Sequence, residues 1–132
     1  MLSINKQSPR PVYEQIIEQI EHLILSGSIA PDEQIPSVRS LSLELSVNPN
    51  TIQKAYNELE IRKITYSVPG VGRYVATDAR KNIGSRYKNK LNGIYESSYW
   101  LALAGIEKGL VTETVDRAYR SVNNFREEDG AK

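Results

Sequence analysis

Residues 37–76 read SVRSLSLELSVNPNTIQKAYNELEIRKITYSVPGVGRYVA, and start and stop signals divide them into two helices and a hairpin. Ser37 precedes Val38, Leu41 and Leu45 at helical spacing, so it predicts the cap of a short helix ending at Leu45. Asn48-Pro49 repeats the start signal, an Asn cap followed by a proline in the first turn, where no N–H is missed. Ile52, Ala55, Tyr56 and Leu59 then follow at the i, i+3, i+4 and i+7 positions of one helix face. After Lys63 the pattern changes. The β-branched and aromatic runs 64–68 and 73–76 flank Pro69-Gly70-Val71-Gly72, which predicts a β-hairpin with a glycine-bearing loop.

Upstream, Pro11 suits the first position of a helix carrying Val12, Ile16, Ile20, Leu23 and Ile24, stopped by Gly27. The stretch SIAPDEQIPS, with Pro31 and Pro36, reads as a loop. Three helices, the last two joined by a tight turn and followed by a hairpin, make a winged helix-turn-helix. The fold class is mainly α with a small β-hairpin, followed by a two-helix C-terminal dimerisation appendage.

Composition narrows the chemistry. The 132 residues include no Cys and a single His, His22, so disulfides, thiolate ligands, a cysteine nucleophile and any chemistry needing two imidazoles are excluded. No nucleophile–base arrangement lies at a suggestive spacing, and Gly70-Val71-Gly72 joins two strands instead of opening a helix as a phosphate loop does. An enzyme, a cofactor and a metal site are therefore not expected. The N-terminus lacks the basic-then-apolar order of a signal peptide, and no apolar run approaches the ~18 residues of a membrane span. A cytoplasmic protein with no membrane partner is expected. Residues 1–76 carry seven basic and eight acidic side chains, the remainder ten and eight, so any contact with nucleic acid rests on a few placed cations.

The helix starting at Pro49 supplies candidates for such a contact. With Ile52, Ala55, Tyr56 and Leu59 inward, Asn50, Gln53, Lys54 and Asn57 face outward. Asn and Gln suit adenine edges, Lys suits guanine acceptors or phosphate, and the helix N-terminus with Thr51 suits a phosphate. A solvated polar face fits the same residues. Arg39 projects from the preceding helix, which in such motifs crosses the phosphate backbone. The loop at Gly70, followed by Arg73, suits a neighbouring minor groove. Each also has a structural reading: Arg39 paired with Glu44 or Glu58, and glycines serving only the turn.

The elements Ile35-Pro36-Ser37-Val38-Arg39, Val47-Asn48-Pro49-Asn50-Thr51, Ala55-Tyr56-Asn57-Glu58-Leu59-Glu60 and Gly70-Val71-Gly72-Arg73-Tyr74-Val75 together resemble the GntR family of bacterial transcription regulators. The resemblance covers residues 10–76. It implies a DNA-binding domain in which Arg39 meets phosphate or base edges and Asn48, Asn50, Thr51 and Gln53 lie at the groove. It further implies Lys54 and Tyr56 near the backbone and Gly70 in the minor groove. With Ser37 and Arg73 these form the candidate DNA-binding set. Asp32 and Lys63 depart from the family, standing where Gly is common, and Pro69 and Val71 stand where basic wing residues are common.

Beyond Thr77 the pattern is helical. Ile83, Tyr87, Leu91, Ile94, Tyr95 and Leu101 keep one face apolar, and Gly84 and Gly93 interrupt the stretch. Gly109 is read as its end, and Thr112 as the cap of a last helix bearing Val115, Ala118, Tyr119, Val122 and Phe125. The 56 residues after Ala76 are too few for the long ligand-binding domains of large GntR proteins, and two such helices lack a private core. Their stripe, Ile83, Tyr87, Leu91, Ile94, Tyr95 and Leu101 with Val115, Tyr119 and Val122, is expected to pair with a second copy, as in the short YtrA-like branch. The expected divisions are a DNA-binding domain at 1–77, the appendage at 78–126 and a disordered tail at 127–132.

The reading is a dimeric repressor on double-stranded DNA with two-fold related half-sites about one turn (~34 Å) apart. A winged-helix module for protein–protein contact is the alternative. Arg80, Lys81, Arg86, Lys88 and Lys90 suit either flanking phosphates or solvent. Tyr87, Tyr95, Tyr99 and Trp100 suit either interface packing or the pocket of a small-molecule effector.

Overall fold

A computed structural model describes residues 2–130, with side chains through Asn124. The chain forms two compact units, Met1–Arg86 and Tyr87–Lys132. The first contains α1 (Val12–Leu25), α2 (Val38–Leu45), α3 (Pro49–Ile61), β1 (Thr65–Val68) and β2 (Gly72–Val75), and is closed by α4 (Ala79–Tyr87). The predicted winged helix-turn-helix is present.

Its core follows the apolar spacing. α1 turns Ile16, Ile17, Ile20 and Ile24 inward, and α3 packs against α1, α2 and β1 through Ile52, Ala55, Tyr56 and Leu59. Ile64 and Val75 of the hairpin region, with Ala79 and Ile83 of α4, complete it. Each large apolar side chain taken from water contributes about 1.5–3 kcal/mol before entropy is counted. Burial of Ile83, with none of its surface exposed, corrects the expectation that it belongs to a dimerisation stripe. The first unit accordingly extends to Arg86, past the expected boundary at Thr77.

The turn between α2 and α3 is made at Ser46, whose φ of 54° is left-handed. Its N–H donates to Ser42 O, and the Ser42 hydroxyl donates to Val47 O at 2.6 Å. In the hairpin, Tyr66 pairs with Tyr74, Ser67 with Arg73 and Val68 with Gly72, antiparallel. The stretch expected to be only a loop adds a third edge. Ile35 N–H donates to Arg73 O at 3.0 Å, and Val75 N–H donates to Glu33 O at 2.9 Å.

In the second unit a 3-10 turn (Lys88–Lys90) leads into α5 (Leu91–Leu103), and α6 covers Lys108–Gly130. The break between them falls at Gly105, with φ 82°, and not at Gly109, which sits in the first turn of α6. Left-handed backbone after the last turn of α5 lets Gly105 N–H donate to Ala102 O and Ile106 N–H to Leu101 O, each at 3.0 Å. Thr112 lies within α6 rather than capping it. α6 continues through residues 127–130 of the stretch expected as a tail, where Arg126, Glu127 and Glu128 are good helix formers. Residues 131 and 132 and the side chain of Phe125 lie outside the described residues.

Candidate nucleic-acid interface

The N-terminus of α3 is built by its cap. Asn48 Oδ1 accepts the Asn50 N–H at 2.8 Å, and Thr51 N–H donates to Asn48 O at 3.0 Å. This leaves Asn48, Pro49, Asn50 and Lys54 exposed and Thr51 and Gln53 half-buried along one edge. The macrodipole adds partial positive charge there. On α2, Ser37 Oγ accepts the Ser40 N–H at 3.0 Å and holds the helix start, while Arg39 is exposed. Among the described residues no acceptor holds the Arg39 guanidinium: Glu58 pairs instead with Arg62 at 2.9 Å. Lys54 is tethered. Its ammonium lies 3.9 Å from the centre of the Tyr13 ring on α1, a cation–π contact that fixes one charge beside the helix edge.

Two expected contact residues turn inward. Tyr56 has none of its surface exposed, and its hydroxyl donates to Pro36 O at 2.8 Å. Burial above all pushes its pKa upward, opposed by the nearby Arg73 guanidinium. Tyr56 is therefore a core residue that ties α3 to the start of α2, and its expected place near the DNA backbone is corrected. Arg73 is turned toward α3 as well. Its guanidinium donates to Tyr56 O at 3.2 Å and Asn57 Oδ1 at 3.1 Å, with a Glu60 carboxylate oxygen at 3.8 Å. It is a strut between the wing and α3, with two of its five N–H donors held by acceptors on α3.

The wing loop exposes Pro69, Gly70 and Val71, and Gly70 takes a φ of 75°. Gly72 serves a different purpose. A Cβ there would lie 2.3 Å from Gln34 Nε2, which donates to Val71 O at 3.2 Å. Gln34 thus clamps the wing at the one residue small enough to let it pass. At the other end of the motif, Lys6 Nζ donates to Ser46 O at 2.7 Å, fastening the N-terminal segment to the helix-turn-helix turn. Sequence reading missed Lys6 and Gln34, since both act on carbonyls far along the chain and carry no periodic signal. Asn57 was placed on the outward face, and its spacing of four from Gln53 was the available clue to their contact.

Arg80, Lys81, Arg86, Lys88 and Lys90 are exposed, with Lys90 Nζ 5.4 Å from the Tyr87 ring centre. His22 is exposed in the last turn of α1. Among the described residues no cluster of His, Cys, Asp or Glu could hold a metal ion, and no helix is long and apolar enough to cross a membrane.

The second unit has a different surface. Among its described residues none is buried, and Leu91, Ile94, Tyr95, Leu101, Tyr119 and Val122 stand open to solvent. Tyr87 and Val115 are exposed too. A groove of about 510 Å³ between α5 and α6 is lined by Ile94, Ala102, Ile106, Val111 and Val115, with Lys108 and Asp116 at its polar margin. Tyr87, Tyr95, Tyr99 and Trp100 do not line it.

Comparison with known proteins agrees with the geometry. The profile of bacterial regulatory proteins of the gntR family matches residues 12–75. The chain is 33% identical to the HTH-type transcriptional repressor YtrA of Bacillus subtilis, over 98% of this chain and 100% of that protein. A GntR family transcriptional regulator from Listeria monocytogenes superimposes with a TM-score of 0.70 at 32% identity, covering 84% of this chain and 97% of that one. The DNA-binding domain of AraR in complex with operator ORX1 matches with a TM-score of 0.53 at 36% identity, over 57% of this chain and 96% of that one. With its winged helix-turn-helix, its sequence relatives and its structural neighbours in agreement, the chain belongs to the GntR family, a regulator of transcription and not an enzyme.

Proposed function

We propose that this chain is a homodimeric repressor that reads two-fold related half-sites of double-stranded DNA, with α3 in the major groove and the wing tip at Gly70 in the minor groove. The observation that carries the reading is the open edge of Asn48, Asn50, Thr51 and Gln53 beside an Arg39 that no described residue engages. Amide side chains at a helix N-terminus combine base-edge donors and acceptors with the positive end of the helix dipole for phosphate. Ser37 and Arg39 serve the backbone from α2, Lys54 adds a fixed charge, and Tyr56 and Arg73 hold the reading surface in place.

Dimerisation is read from the second unit. Two helices that leave Leu91, Ile94, Leu101, Tyr119 and Val122 exposed gain little by themselves, and a second copy burying the same face supplies the missing core. Electrophoretic mobility shift with duplex fragments tests the DNA half. The native chain is expected to retain DNA, and the Arg39→Ala/Lys54→Ala double variant to lose most retention at low salt. Unchanged retention by that variant would refute the interface.

A further inference from the structure

Gln53, Asn57 and Arg73 form a chain of hydrogen bonds from the exposed edge of α3 to the wing. Gln53 Nε2 donates to Asn57 Oδ1 at 2.8 Å, and Arg73 donates to the same oxygen at 3.1 Å. Arg73 itself has no freedom to leave. Its Nη1 donates to Tyr56 O at 3.2 Å, and its backbone carbonyl accepts from the Ile35 N–H at 3.0 Å. Its side chain is 18% exposed.

The chemistry of this chain has a direction. A guanidinium carries donors only, so the Asn57 atom that faces it must be the oxygen. That oxygen can accept but not donate, so the Gln53 atom facing it must be the nitrogen. One N–H of Gln53 is then committed, and its Oε1 and second N–H are left side by side as an acceptor and a donor. A glutamine amide on its own turns over between two nearly equivalent states, because its terminal torsion is soft and two-fold. Here the order of acceptor and donor is set from the wing. Adenine matches such a pair, with a donor at N6 next to an acceptor at N7, whereas guanine sets two acceptors against it.

We propose that Arg73 and Asn57 are specificity-determining positioning residues: by fixing the polarity of the Gln53 amide they make this chain require adenine at one position of each half-site. The inference rests on the DNA-reading function proposed above and adds to it a base and the residues that choose it. It also gives the inward-turned Arg73 a part in recognition without a contact to DNA.

The test is selection of full-length protein on duplexes randomised over a central stretch, followed by sequencing of the retained pool. Four chains are compared: native, Gln53→Ala, Asn57→Leu and Asn57→Asp. The native chain is expected to return a two-fold sequence with one adenine position that Gln53→Ala abolishes. Asn57→Leu, at an exposed site, is expected to fold and to lose about tenfold in adenine preference at that same position, while the other positions keep theirs. Asn57→Asp, which still offers only acceptors to both neighbours, is expected to restore the preference even where its charge lowers total affinity. Adenine preference intact in Asn57→Leu, lost in Asn57→Asp, or eroded equally at every position in Asn57→Leu would overturn the inference while leaving DNA binding in place. A Gln53→Ala pool identical to the native one would overturn it as well. A native chain that selects no sequence would overturn the proposed function and this inference together.

Discussion

Lys63 and Asp32 occupy left-handed backbone, with φ of 61° and 64°, at positions where the family often has glycine. An L side chain in that region costs about 1–2 kcal/mol, so each must be compensated or tolerated. Asp32 is compensated: its Oδ1 accepts from the Tyr66 hydroxyl at 2.9 Å, which raises the Tyr66 pKa. Lys63 has no comparable side-chain bond among the described residues. Lys63→Gly is therefore expected to stabilise the first unit by about 0.5–1 kcal/mol, after the entropy of the freer unfolded chain is subtracted, and to raise Tm by a few degrees in a thermal melt. A lower Tm would contradict this.

Tyr56 gives a pH dependence with a definite sign. Burial holds its phenol protonated in the fold well beyond the ordinary tyrosine value of 10.0. The unfolded chain releases that proton as pH passes about 10, so the unfolded state then binds fewer protons and stability falls as pH rises. Below pH 10 the full contribution is present. Urea unfolding of Tyr56→Phe is expected to show a loss of about 1 kcal/mol at neutral pH, from the bond to Pro36 O, and a shallower decline between pH 10 and 12 than the native chain. Parallel alkaline declines would contradict the assignment.

At the scale of elements, the wing depends on contacts that no local pattern announces. Gly72 passes under Gln34, so Gly72→Ala is expected to dislodge the clamp on Val71 O and loosen the hairpin. Hydrogen exchange should show faster exchange at residues 66–74 with α1 unchanged, and unaltered protection there would refute the role. What was legible in the sequence at this scale was whatever local spacing fixes: the Asn48 cap, the apolar stripe of α3 and the hairpin around Gly70. Ile83 was misassigned because an apolar residue at helical spacing looks the same whether it meets its own core or another chain. The strut made by Arg73 was not legible because its partners, Tyr56 O and Asn57, lie on a different element. Gly109 was read as the helix end that Gly105 in fact makes, since either glycine can end a helix and only the backbone φ tells them apart.

At the scale of the molecule, the two units divide the work. The first has a closed core of its own, and the second has no buried residue among those described. If a second copy supplies the missing core, the Leu101→Glu/Tyr119→Glu variant should sediment as a monomer. Its DNA affinity should fall by roughly 10²-fold or more, because two linked half-sites bind with an effective concentration that one half-site lacks. A dimer of unchanged stability would contradict the assignment. The most direct test of the central claim, that the Asn48 edge of α3 meets a duplex twice over, is a hydroxyl-radical footprint of the full chain on a DNA fragment that it retains. The account predicts two protected patches related by a two-fold axis, both lost together in Arg39→Ala/Lys54→Ala; a single unpaired patch, or protection that survives in the variant, would contradict it.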